Sequence, residues 1–148
     1  MKCNDAGRKL IQSFEACRLE AYQDVKGIWT IGYGNTMYAT GISVKEGDTI
    51  TQEEADMLFS TILSRFESGV NTLVRTDVTA NQFSALVSFT YNCGVGTLGK
   101  STLLKKVNAN ASDESIRDEF MKYNISGDKV WPGLTRRRKA EADLYFTT

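Results

Sequence analysis

Thr51 followed three residues on by Glu54 makes a capping box, in which each side chain answers the other residue's backbone N–H. Behind it Ala55, Leu58, Phe59, Ile62, Phe66 and Val70 recur every three or four residues, which predicts a helix of about 20 residues over 52–72. Such a helix spans roughly 30 Å and can bridge a small sheet-containing lobe and a larger helical one. The chain has 148 residues, the size of one ordinary domain. It can bury roughly 70% of the surface its unfolded form exposes, so it needs neither metal nor disulfide to fold.

Ahead of that helix, Ala6, Leu10, Ile11 and Phe14 fall at helical spacing over about 5–16, with Asn4 or Asp5 available as a cap. From Leu19 to Gly47 the texture changes to short aromatic and β-branched runs broken by Gly27, Gly32, Gly34, Gly41 and Gly47, the pattern of a small twisted antiparallel sheet. That stretch is too short to own a core, so it is expected to pack against helix ends and form one wall of a cleft. Beyond the long helix, Thr79 caps a segment carrying Phe83, Leu86, Val87 and Tyr91, which Gly94 and Gly96 stop. Ser101 opens a short helix through Leu104 and Val107, and Ile116, Phe120 and Tyr123 mark another after a polar turn. A loop with Gly127, Trp131, Pro132 and Gly133 leads to a last helix carrying Leu134, Ala140 and Leu144. There is no repeat or flexible linker, so two lobes would share one cooperative unit, a single domain over 1–148.

The 18 basic and 18 acidic side chains cancel, which argues against a nucleic-acid partner and gives no attraction to an anionic membrane. Cys3, Cys17 and Cys93 are odd in number and widely spaced, and there is no histidine, so neither a zinc cluster nor a cysteine–histidine couple is available. Cys17 and Cys93 read as small buried hydrophobes and Cys3 as a free thiol on the terminal arm. The first 20 residues mix charge and hydrophobe too often for a leader, which predicts a chain made soluble in the cytoplasm.

Within "SFEACRLEAYQDVKGIWTIGYG" stand Glu15 near the end of the first helix, Asp24 in a turn and Thr30 in a strand. Taken singly each has a bland explanation: a solvated last-turn glutamate, a turn aspartate and a strand threonine. Two carboxyls facing each other across a cleft, one protonated and one ionised, are the apparatus of glycosidic bond cleavage, one protonating the leaving oxygen while the other activates water on the opposite face of the sugar, so the combination makes the three residues candidates for that chemistry beside their bland readings. A nearby hydroxyl can hold that water beside the base.

Glu15, eight residues, Asp24, five residues and Thr30, set in "SFEACRLEAYQD" and "WTIGYGNT", resembles the catalytic signature of the phage-type lysozymes, the endolysin family that cuts bacterial peptidoglycan. Three further segments agree in order and distance: "TANQFSALVSFTYNCGVG" from Thr79, "STLLKKVN" from Ser101 and "GLTRRRKAEADLY" from Gly133. The resemblance covers nearly the whole chain. It implies an α+β, lysozyme-like fold with a sheet-containing lobe over about 17–50 and a helical lobe over about 75–148, the N-terminal helix packed against the latter. It implies Glu15 as general acid, Asp24 as the group that activates water and Thr30 as its holder. The reaction implied is inverting cleavage between N-acetylmuramic acid and N-acetylglucosamine, with no metal and no cofactor.

The resemblance also suggests Ser88 and Asn92, four apart on one helical face, as hydrogen-bond donors to substrate. Arg137 is suggested as a guanidinium close to Glu15, with Arg136 as the alternative if the alignment slips. The rest of the basic run Arg136–Lys139 reads as a solvated face, and Glu141 as a helix-surface or lobe-linking partner of these arginines. Trp29 reads as core, and Trp131 equally as core or as a platform for a sugar ring. One departure stands out: the family's Gly-Tyr-Gly-His turn reads Gly32, Tyr33, Gly34, Asn35 here, so an imidazolium paired with a carboxylate cannot contribute and the pH profile of stability is expected to differ. The competing readings are a lytic transglycosylase, which needs neither Asp24 nor Thr30, and a non-catalytic cell-wall binding module. The family likeness further implies a monomer that waits in the cytoplasm without stable membrane association and depends on a holin to reach peptidoglycan.

Overall fold

A computed structural model describes residues 1–148, beginning with helix α1 (Asp5–Phe14) and an antiparallel pair, β1 (Arg18–Gln23) and β2 (Trp29–Gly32), followed by the long helix α2 (Gln52–Leu73). The capping box forms: Glu54 N–H donates to Thr51 Oγ1 and Thr51 N–H donates to Glu54 Oε1, each at 3.1 Å. Two compact units divide the chain, Gln12–Arg65 and Met1–Ile11 with Phe66–Thr148, so α2 begins in the small sheet-bearing lobe and ends in the helical one. No helix is long and apolar enough to cross a membrane.

In the sheet-bearing unit Tyr22 faces Thr30 and Gln23 faces Trp29 across β1 and β2, with an irregularity before Arg18 meets Gly32. Isolated bridges at Glu20–Thr49, Ile31–Asn35 and Met37–Ser43 continue the pairing, so much of the expected sheet is bridged turns rather than strand. The apolar cluster of this unit is Ile31, Val44 and Leu58, with Ala21, Trp29, Tyr38, Ile50 and Ile62 against it. Leu58 and Ile62 belong to α2, so the sheet draws its core from the first half of that helix. Trp29 lies in this cluster, as expected of a core residue.

The helical unit is built on α3 (Ala80–Cys93), with α4 (Val95–Lys100), α5 (Thr102–Ala109), α6 (Ile116–Met121), a hairpin of β3 (Ile125–Ser126) and β4 (Lys129–Val130), and α7 (Pro132–Tyr145). Thr79 and Gln82 form a second capping box, and Ser101 Oγ accepts from Leu104 N–H at 3.0 Å. Asn4 is the side chain that caps α1, through Gly7 N–H at 3.0 Å. Every residue of α3 from Phe83 to Thr90 is buried, so this helix is surrounded rather than amphipathic. Its polar side chains are answered inside: Ser84 accepts from Asn4 N–H at 2.9 Å, and Thr90 donates to the Leu86 carbonyl. Edge-on contacts of Phe89 with Phe120 (5.9 Å) and Tyr123 (4.9 Å) carry the packing outward.

Three expectations change. Gly94 ends α3, but Gly96 sits inside α4, because short helices held by packing tolerate glycine. The loop around Gly127 is a hairpin, with Gly127 at φ +68 in its turn. Cys3 is buried, and that burial pushes its thiol up to about 11, whereas Cys17 and Cys93 are only half-buried.

Glu119 is 4% exposed and accepts from Lys122 Nζ (2.9 and 3.0 Å) and Lys106 Nζ (2.9 Å), which hold its carboxyl below the ordinary carboxylate range. A lowered folded-state value means stability that is present above the ordinary range and lost as pH falls through the lowered value. Glu119→Gln is expected to cost about 1–2 kcal/mol at neutral pH. The gap to wild type should close as pH drops below the ordinary value of about 4.3. Urea midpoints of both proteins at neutral and acid pH check this, and an unchanged gap refutes it.

Candidate active site

The sequence trio lies in the sheet-bearing unit. α1 stops at Phe14, and Glu15 is the next residue, half-buried where the chain turns toward β1. Gly34, at φ +76, comes so close to it that a Cβ placed there would lie 2.2 Å from Glu15 Oε2. No side chain but glycine's leaves that carboxyl its place.

Asp24 sits in the turn between β1 and β2. Its Oδ1 accepts from the N–H of Lys26 at 2.8 Å and of Ile28 at 2.9 Å, which fixes the carboxylate plane and leaves Oδ2 for a ligand. Gly27, at φ +79, donates its N–H to the Asp24 carbonyl at 2.9 Å and closes the turn. Thr30 is 4% exposed, and its hydroxyl donates to the Ile28 carbonyl at 2.9 Å, which uses its proton and leaves its oxygen as an acceptor. The backbone of Ile28 therefore ties Asp24 to Thr30: its N–H serves the carboxylate and its carbonyl takes the hydroxyl. No residue type signals such a role, and sequence reasoning passes over it.

Tyr22 is a second residue the sequence reading missed. It pairs with Thr30 across the strands, and the Arg18 guanidinium lies 4.6 Å above its ring centroid. Burial pushes its phenol up, the Glu15 charge adds to this, Arg18 opposes it and Asp24 adds again. Both carboxylates thus act on one phenol. Its position two before Asp24 in an alternating strand is the only sequence signal for it.

The remaining candidates lie in the helical unit. Ser88, expected to offer its hydroxyl to a sugar, is fully buried and donates it to Glu141 Oε2 at 2.6 Å. Arg137 and Arg138 are buried, at 3% and 0% exposure, so the basic run is a solvated face only at Arg136 and Lys139. Glu141, expected as a helix-surface or lobe-linking partner of these arginines, is their partner but not on the surface, being fully buried between them: Arg138 Nε lies 2.7 Å from Oε1, and Arg137 Nε lies 3.4 Å from Oε2. Burial pushes this carboxyl up, while Arg138, Arg137 and Ser88 act against it. Arg137 Nη2 also donates to the Ser88 carbonyl at 3.3 Å, and Arg138 Nη1 donates to Cys93 Sγ at 2.7 Å. Asn92 is exposed near the end of α3. Trp131 is 42% exposed, with its indole N–H on the Ser126 carbonyl at 3.1 Å.

Comparison with known proteins matches residues 12–141 to the family described as phage lysozyme. An endolysin of Bacillus phage B103 is 42% identical over 149 aligned residues, covering 99% of this chain and 55% of the relative. The chain thus spans about half the length of that relative, and likewise 55% of the endolysin of Bacillus phage PZA. Among solved structures, an endolysin from Escherichia coli O157:H7 phage FAHEc1 superposes with a TM-score of 0.90 at 36% identity, over 99% of this chain and 94% of that one. The muramidase domain of SpmX from Asticaccaulis excentricus gives 0.85 at 36% identity, over 99% of both.

Proposed function

From the premise that this chain belongs to the phage lysozyme family, we propose that it hydrolyses peptidoglycan at the β-1,4 bond between N-acetylmuramic acid and N-acetylglucosamine, with inversion. The observation that carries this reading is the Ile28 backbone clamp. It presents Asp24 Oδ2 and the Thr30 lone pairs as two fixed acceptors. A water that gives one hydrogen to each turns its own lone pair toward a third point, the anomeric carbon. Glu15 gives its proton to the glycosidic oxygen as the C–O bond breaks, the water oxygen bonds to the anomeric carbon, and its proton passes to Asp24. Solvent then returns that proton to Glu15. These steps use no metal and no cofactor.

Asn92, exposed on α3, is the residue of the helical unit assigned to substrate acetamido or hydroxyl groups. Arg137, buried against Glu141 and the Ser88 carbonyl, is assigned to hold the interior of the helical unit rather than to bind sugar. The proposal includes a monomer that acts after a separate membrane lesion, made by a holin, gives access to the wall from the cytoplasm.

Mass spectrometry and NMR of fragments released from purified peptidoglycan test the reading. Hydrated reducing muramic ends, first formed as the α anomer, are expected. Anhydro ends would move the assignment to a lytic transglycosylase, and wall binding without release would leave a binding module.

A further inference from the structure

We infer that the turn Gly32–Gly34 sets the Glu15 carboxyl in place, with Gly34 as a positioning residue; this rests on the reading of Glu15 as the acid. A Cβ on Gly34 would lie 2.2 Å from Glu15 Oε2 and 3.0 Å from its Cδ, so the carboxyl rests against bare backbone. Which side yields to an added methyl depends on how firmly each is held, and the turn is held at both ends. Ile31 N–H donates to the Asn35 carbonyl at 2.8 Å and Asn35 N–H returns to the Ile31 carbonyl at 2.9 Å, both residues being buried. At the tip, the Tyr33 ring packs 5.2 Å from Phe59, and its hydroxyl donates to Asp56 Oδ1 at 3.4 Å and accepts from Gln52 Nε2 at 3.3 Å, all three partners on α2. The carboxylate is the end of a side chain with three rotatable bonds. An added methyl therefore displaces the acid, and the native glycine denies it the rotamers on the other side of its working position.

The matched control is Gly41, at φ +89, where an added Cβ meets nothing within 4 Å. Gly41→Ala imposes the backbone strain of a left-handed alanine without touching the acid. Gly34→Ala is expected to lower kcat on purified peptidoglycan about 100-fold, the scale of a misplacement of about 1 Å, with KM within about threefold of wild type. Gly41→Ala should change neither constant more than about twofold, because its strain lies in a turn away from the acid. A stability cycle reads the contact even where Gly34→Ala folds poorly. In a Glu15→Ala background, the fall in urea midpoint caused by Gly34→Ala should shrink to that caused by Gly41→Ala. Equal kcat for the two alanine variants, or the same destabilisation with and without the Glu15 carboxyl, overturns the inference. An active Glu15→Gln overturns the acid assignment and this inference with it, whereas an inactive Glu15→Gln beside a fully active Gly34→Ala overturns this inference alone.

Discussion

Glu15→Gln is expected to lower kcat on peptidoglycan by about 10²–10⁴-fold, the contribution of a positioned general acid. The amide has the size and polarity of the carboxyl but no proton to give, so substrate binding survives and KM changes little. Glu15 is half-buried just past the end of α1, and the fold is held by the clusters around Ile31 and α3 rather than by this side chain. The urea midpoint should therefore stay within the effect of a surface substitution, about 0.5 kcal/mol. Initial rates of reducing-end release, with the midpoint measured on the same preparations, check both halves. Activity within tenfold of wild type would remove Glu15 from the mechanism.

The second large effect is on stability. Glu141→Ala should destabilise the protein by about 3–5 kcal/mol, because it leaves buried guanidiniums without their counter-charge. The structural reason is burial on every side: Glu141 and Arg138 are 0% exposed and Arg137 is 3% exposed, in the packing of α7 on α3. Ser88 would also lose the acceptor of its 2.6 Å bond. Asp143 on the same helix is the contrast. It pairs with Arg117 at 2.7 Å and Lys139 at 2.8 Å, but its side chain is 48% exposed. Asp143→Asn is expected to cost no more than about 1 kcal/mol for that exposed pairing. Thermal unfolding of both variants at neutral pH checks the difference. For a chain of this length, each kcal/mol is worth roughly 2–4 °C. Equal shifts would mean that the buried cluster contributes nothing beyond surface charge.

The contrast between those two acids shows what was legible in the chain and what was not. The caps at Thr51, Thr79 and Ser101 act through residues three positions away, so their signals are local and the structure bears them out. Helix α2 was visible for the same reason, its apolar repeat and its cap agreeing over one stretch. Glu141 stands three and four residues after Arg138 and Arg137, a spacing open to anyone reading the sequence. What hides it is tertiary: only packing against a buried helix α3 turns a charged helix face inward. Helix α4 escaped notice because Gly96 and Gly99 argue against any helix when read alone. The residue types and spacing of Glu15, Asp24 and Thr30 were likewise legible, but the atoms that hold them were not. For Asp24 and Thr30 they are the peptide groups of Lys26 and Ile28, backbone groups common to every residue, and beside Glu15 it is the side chain that Gly34 lacks.

Ile28 carries this furthest. Its side chain is 47% exposed, so descent can exchange it for almost any other residue while the peptide keeps its grip on Asp24 and Thr30. A lineage would show free drift at this position, with proline alone missing, since proline has no N–H to give the carboxylate. The dependence would be written in that single gap rather than in any preferred letter.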